Sequence, residues 1–253
     1  MSGSGNVRRF LKYPNIPEGK AVCVITSDRY SGYINELRDN FHISVISPLP
    51  LDNISGSERY HADMSVCHLG EEFFALEKNN TSVDNALKNN KARIFYSGKI
   101  TAREPGLNVC ILKNRIICRK DTADRSIIEF CKDKSIEILN VPQRYARCST
   151  AVINENAVIT TDESIYRMCR NNNIDALKID GNDIKLEGYD CGFIGGCCGL
   201  ISENELAFCG DITAHRDHEN IRSFLRNYSV SPVSLGCGKL TDIGGLLPIM
   251  EEV

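Results

Sequence analysis

The sequence predicts an α/β protein: a pseudo-symmetric propeller of five ββαβ modules, the last of them closed by strands from the two chain ends. Three observations lead there. One unit recurs along the 253 residues: an apolar strand, a polar turn, a second apolar strand, an acidic helix start, an amphipathic helix and a third strand. Recurrence at about 40 to 50 residues marks a ring or solenoid of repeats. Four first strands precede a second strand directly, whereas the fifth, at residues 240–249, stands near the C-terminus with none after it. The second strand at residues 21–25 is correspondingly an orphan, and pairing the two leaves no free sheet edge at the joint. An open array of αβ units is the competing reading.

Residues 1–19, which begin MSGSG, read as a flexible leader in which Arg8, Arg9 and Lys12 form a short solvated basic cluster. Residues 20–253 read as a single domain. Second strands and the turns that leave them fall at 21–28 (AVCVITSD), 71–79 (EEFFALEKN, degenerate), 115–121 (RIICRKD), 157–162 (AVITTD) and 205–211 (ELAFCGD). First strands fall at 63–69, 107–113, 149–153 and 193–201, third strands at 43–48, 92–97, 136–141, 176–179 and 229–235. Asp121, Asp162 and Asp211 lie where strand hands over to helix; an Asp there caps free N–H groups and complements the helix dipole. His215 and His218 of TAHRDHEN are expected on one face of the first helical turns, solvated rather than ligating a metal.

With 42% hydrophobic residues the chain has material for a substantial core, and its formal charge of −3 carries no basic stripe of the kind nucleic acid requires. The longest apolar runs are strand-length, too short to span a bilayer, and the N-terminus lacks the apolar centre of a secretory signal. A cytoplasmic protein is expected. Of the twelve cysteines, Cys23, Cys67, Cys110, Cys118, Cys131, Cys169 and Cys209 sit inside strand or helix patterns as small hydrophobes, which favours reduced thiols. Cys148, Cys191, Cys197, Cys198 and Cys237 lie near first-strand starts, and no pair has CxxC spacing. Neither a metal nor another cofactor is expected.

In a ring of modules the starts of the first strands converge around the axis, where a pocket takes its lining from every module. Stacking the modules brings Asp63, Asn108, Cys148, Gly195 or Gly196, and Asp242 to equivalent places. His61 precedes Asp63 by two residues and shares its side of a strand. A thiol, an imidazole and two carboxylates are the parts of a covalent catalyst.

The five-module ring with a strand borrowed from the other chain end resembles the pentein, or guanidino-group-modifying enzyme, fold, over the chain from about residue 20. One motif matches: the H-x-D that opens a first strand in the deiminases is His61-Ala62-Asp63 in YHADMSV. The chain fits best a group of that fold without an assigned reaction. The resemblance implies a Cys-dependent hydrolase or transferase, deiminase-like or amidinotransferase-like, acting on a guanidino or related C–N compound through a covalent thiol intermediate. His61 would be the acid and base, and Asp63 and Asp242 would hold the guanidinium with Asn108, Gly195 and Gly196 around it. The family sets its Cys early on the last module's first strand. In this chain SLGCGKLTDIGGLLPI fills that segment, with Asp242 to Gly245 in the expected region and Cys237 earlier, in the turn. The nucleophile is then Cys237, or Cys148 from another module, or absent. The last case is the alternative: a catalytically silent pentein that binds a small molecule or a macromolecule. A small-molecule substrate is the expected partner, with no membrane and no nucleic acid; the loops at 52–59 and 100–106 are expected to shape its pocket.

Overall fold

Short strands alternate with helices of nine residues along the chain, and the strands sort into five small sheets. The computed structural model describes residues 7–98 and 100–253. The first sheet holds β1 (Arg8–Phe10), β2 (Lys20–Ile25) and, after helix α1 (Ser31–Asp39), β3 (Ser44–Ile46). A helical turn, α2 (Ala62–Ser65), then leads into β4 (Val66–Gly70), β5 (Phe73–Glu77), α3 (Thr81–Asn89) and β6 (Arg93–Ser97). The third sheet is β7 (Cys110–Leu112), β8 (Arg115–Cys118) and, after α4 (Arg125–Asp133), β9 (Glu137–Asn140). The fourth is β10 (Thr150–Asn154), β11 (Ala157–Thr160) and, after α5 (Glu163–Asn171), β12 (Asp175–Lys178). The fifth is β13 (Cys198–Ser202), β14 (Glu205–Cys209) and, after α6 (His218–Arg226), β15 (Ser231–Leu235). The chain ends on β16 (Leu247–Glu252).

In each sheet the first strand runs antiparallel to the second, and the second runs parallel to the third, which the helix makes possible as the crossover. The first sheet takes its first strand from the far end of the chain: β16 pairs antiparallel with β2, Leu247 opposite Ile25 and Glu252 opposite Lys20.

The leader departs from expectation. Residues 1–6 lie outside the described residues, but β1 adds to the far side of β16, giving the order β1-β16-β2-β3. Arg9 is exposed but tethered: its guanidinium donates to Glu251, whose side chain is buried, and pairs with Glu18. Glu251 also accepts from the Gly19 backbone N–H, so a buried carboxylate fastens the leader to the sheet.

The helices bury one face at helical spacing, Ile127 with Phe130 and Cys131 on α4, Ile165 with Cys169 on α5, Ile221 with Phe224 and Leu225 on α6. Asp162 caps α5 by accepting from Ile165 N–H, as expected. Asp121 does not cap: it pairs with Arg119, and Asp124 accepts from Ser126 N–H in its place. Asp211 caps a single 3-10 turn ahead of α6. His215 precedes α6 and is buried, its Nδ1 accepting from Asp217 N–H, so the expected solvated histidine pair is not formed.

Each of the five buried apolar clusters joins two sheets. One cluster joins Ile25 of β2 and Ile249 of β16 to Phe74 and Leu76 of β5. Others join the second sheet to the third, the third to the fourth, the fourth to the fifth, and the fifth back to the first through Ala207 of β14 and Val24 of β2. Cys110, Cys118, Cys131, Cys169 and Cys209 are packed in these clusters, and all twelve cysteines are free.

Candidate active site

First strands begin later than their apolar patterns suggest, and the residues just ahead of them build the site. Asp63 lies in the helical turn α2 rather than on a strand, and His61 is the extended residue (φ −73°, ψ 127°) that precedes it. The period of two therefore does not relate their side chains. The turn closes with the Ser65 hydroxyl donating to the Ala62 carbonyl, and β4 starts only at Val66.

From this turn the Asp63 carboxylate meets a thiol 85 residues further along: Cys148 Sγ donates to Asp63 Oδ2 at 2.7 Å. Cys148 is 2% exposed and Asp63 1%. Asn108, ahead of β7, positions the thiol. Its Nδ2 donates to Sγ at 3.2 Å, while its Oδ1 accepts the backbone N–H groups of Arg147 (2.9 Å) and Cys148 (3.2 Å). Arg147 donates to the carbonyls of Thr150 and Gly195 and to Asn15, so its charge stays behind the thiol.

Asp242, ahead of β16, is fully buried; its oxygens accept from Phe193 N–H at 3.0 Å and Gly244 N–H at 3.1 Å. Its Oδ1 is 3.7 Å from His61 Nδ1. His61 Nε2 and Asp63 Oδ1 are buried without a hydrogen-bond partner. Two glycines make this crowding possible. A Cβ on Gly196 would strike the Asp242 carboxylate, and Gly244, at φ +85°, lies against His61 Cα, where a side chain would be both strained and obstructed. Gly195 packs on the carbonyls of Arg147 and Thr150. Gly196 N–H donates to the Cys148 carbonyl at 3.0 Å while its own carbonyl accepts from Ile243 and Gly245, joining the thiol's segment to the Asp242 segment.

Burial dominates the electrostatics. It raises the Asp63 carboxyl to about 6, against the pull of His61 and of the Cys148 hydrogen bond. Asp242 is raised for the same reason, with His61 opposing. Burial, then the charges of Asp63 and Asp242, push the Cys148 thiol well above its ordinary value. The resting site therefore holds a protonated thiol.

A cavity of about 220 Å³ opens onto this floor. Cys148, His61 and Asp242 line its depth, and Glu58, Tyr145, Leu186, Tyr189, Cys191 and Phe193 its walls. Asp63, Asn108, Gly195 and Gly196 are not on the cavity surface; they lie behind the thiol and hold the groups that are. Cys237 does not join the site: it is exposed in the turn after β15, flanked by Gly236 and Gly238 at φ +73° and +84°. Tyr145, Leu186 and Tyr189 escaped sequence reading because they come from segments without periodicity. Glu58 falls in the loop expected to shape the pocket, and the other such loop contributes the Ala102 carbonyl, which accepts from the Tyr145 hydroxyl at 2.7 Å. His61, Asp63 and Cys148 also offer ligand atoms within 4.8 Å of one another, a donor set that fits a divalent cation such as zinc.

The family described as "Family of unknown function (DUF6873)" matches residues 24–247. No curated protein matches the sequence. Among solved structures, the inosamine-phosphate amidinotransferase from Streptomyces griseus superposes with a TM-score of 0.56 at 10% identity, covering 98% of this chain and 97% of the other. DDAH from Pseudomonas aeruginosa, a cysteine-to-serine mutant complexed with citrulline, gives 0.53 at 8% identity, covering 93% and 100%. The C. jejuni agmatine deiminase, a cysteine-to-serine protein with substrate bound, gives 0.52 at 10% identity, covering 93% and 92%. These proteins share the pentein, guanidino-group-modifying fold, and the mixed α/β architecture of five small sheets seen in this chain is that fold.

Proposed function

The chain belongs to the family of unknown function DUF6873, and from that premise we propose that it is a Cys-dependent hydrolase or transferase of a guanidino or related C–N compound, with Cys148 as nucleophile. One observation carries the reading: the Cys148 thiol, the His61 imidazole and the Asp242 carboxylate meet at the floor of an open cavity. The similar structures are a deiminase, an amidinotransferase and DDAH, which supports the same class of chemistry. The five clusters that link the sheets in cyclic order support an arrangement of the sheets about one axis, as in a propeller. In such a ring, proximity at the axis matters and chain order does not, so a thiol ahead of β10 serves as well as one on the last module.

A guanidinium entering the cavity donates to Asp242, the carboxylate on its surface, through charge-assisted hydrogen bonds. Its positive charge offsets the fields of Asp63 and Asp242 that hold the thiol protonated, and so favours transfer of the thiol proton to His61, whose ring lies within 4.8 Å of Sγ. Sulfur then attacks the central carbon; the C–N bond to the leaving group breaks, and His61 gives that nitrogen its proton. In a hydrolase, His61 takes a proton from water as the water attacks the same carbon, and the C–S bond breaks to return the thiolate. In a transferase, an acceptor amine takes the place of water. Asp63 accepts from the thiol only before its proton leaves, whereas Asn108 Nδ2 still donates to Sγ afterwards and keeps it in place. No step calls on a metal.

The test is a panel of alkylguanidines incubated with the protein, with ammonia, amine and ureido products quantified. Turnover that disappears in Cys148→Ser supports the reading. Binding of the same compounds with no turnover in the unaltered protein replaces it with the catalytically silent alternative.

A further inference from the structure

A second carboxylate stands in the cavity, and no step above uses it. Glu58 belongs to a 3-10 turn, Ser57–Tyr60, three residues ahead of His61, and is 9% exposed. One of its oxygens, Oε1, accepts from the Tyr189 hydroxyl at 2.5 Å; the other, Oε2, is buried without a partner. Among the described residues no lysine or arginine forms an ion pair with it. Gly56 keeps room for this carboxylate, since a Cβ there would collide with Oε2. Tyr189 is 50% exposed, whereas Cys148 and Asp242 are at most 2% exposed, so Tyr189 stands toward the mouth and the reacting groups at the floor, with Glu58 tied to the Tyr189 hydroxyl. Tyr145, Phe193 and Leu186 also line the cavity, with the Tyr145 and Phe193 rings stacked at 6.3 Å between centroids. Among the described residues of the lining, His61 is the one basic side chain.

A buried carboxylate with an unmet acceptor needs a donor, and aromatic rings accept a cation or an alkyl chain but give an anion no counter-charge. Resting on the guanidino reading of the floor, we propose that the substrate is an amino-alkyl guanidine. Its guanidinium reaches Cys148 and Asp242, its alkyl chain lies along Tyr145 and Phe193, and its ammonium is received by Glu58. Guanidines that end in a carboxylate or phosphate are rejected, because Glu58 repels them and no basic wall residue offsets that repulsion. Glu58 is thus a specificity-determining residue that takes no part in bond making.

Three guanidines of similar length separate the outcomes: agmatine, butylguanidine and guanidinobutyrate, ending in ammonium, methyl and carboxylate. Their dissociation constants are measured by calorimetry on the full chain carrying Cys148→Ser, which cannot turn them over. Agmatine is expected to bind at least about tenfold more tightly than guanidinobutyrate, the scale of one charge-assisted hydrogen bond, with butylguanidine between them. Adding Glu58→Gln should bring agmatine and guanidinobutyrate within about threefold of each other. Guanidinobutyrate binding as well as agmatine, or a preference that survives Glu58→Gln, overturns the assignment while leaving the guanidino reading in place. Failure of all three to bind removes both. Should Glu58→Gln fail to fold, the ranking in the Glu58 protein decides alone.

Discussion

The Cys148 thiol is hydrogen-bonded to the Asp63 carboxylate at 2.7 Å, and neither side chain has more than 2% exposure. The contact joins the segment ahead of β4 to the segment ahead of β10, two sheets with the third between them in sequence. It makes the resting thiol a donor held in its protonated form by a carboxylate that burial itself keeps hard to ionise.

Replacing that carboxylate should separate reactivity from catalysis. In Asp63→Asn the charge that raises the thiol is gone, so the pH midpoint of iodoacetamide labelling at Cys148 falls and its rate at neutral pH rises several-fold. Turnover falls, because a neutral amide accepts from Sγ less strongly than a carboxylate and places it less firmly. Slower labelling in the variant would contradict the electrostatic account.

The same residue links stability to pH. A carboxyl raised in the folded state from 3.8 to about 6 contributes stability that is fully present below the unfolded pKa and lost as pH rises through the folded one. Urea unfolding should therefore show the parent protein losing roughly 3 kcal/mol between about pH 3 and 7 relative to Asp63→Asn. Equal pH dependence in the two proteins would contradict it.

Gly196 and Gly244 set the positions of Asp242 and His61. Gly196→Ala drives a methyl group into the Asp242 carboxylate, and Gly244→Ala forces a side chain onto His61 at φ +85°. Each is expected to cost about 1–3 kcal/mol in stability and about a hundredfold in kcat/KM, the scale of a 1 Å displacement. Urea unfolding and guanidine turnover measure the two effects.

Zinc should act as an inhibitor. His61, Asp63 and Cys148 present ligand atoms within 4.8 Å, so zinc binding would occupy the nucleophile and the proton carrier together. Added zinc is expected to block labelling of Cys148, and EDTA to restore it. Turnover that requires zinc and is lost on EDTA treatment would contradict the metal-free mechanism.

Much of the scaffold is legible in the sequence because strands and helices bury one face at a fixed period. The apolar stretches at 115–121, 157–162 and 205–211 contain β8, β11 and β14, that at 21–28 covers all of β2 but its first residue, and the orphan strand pairs with β16 from the other chain end. Asp162 caps its helix because a capping residue acts on its own neighbours. The strand starts were less legible: hydrophobicity at 63–65 and 240–246 satisfies a helical turn or a glycine-rich turn as well as a strand. Asp63 and Cys148 came to equivalent places by stacking modules, but their contact depends on how far each side chain reaches across the axis, which no local pattern records. Glu58, Tyr145 and Tyr189 come from segments whose conformation is set by tertiary contacts such as the Tyr189–Glu58 hydrogen bond, 131 residues apart. β1 carried too little apolar pattern to be read as a strand; Arg9 stays there through the buried Glu251.

The most direct measurement is site-resolved mass spectrometry of the unmodified full chain after brief exposure to chloroacetamidine, a small guanidinium mimic that alkylates a thiol placed beside its binding site. The account predicts one adduct, on Cys148, slowed by agmatine and lost in His61→Ala. Adducts on the exposed Cys191 and Cys237 with Cys148 unmodified would contradict it.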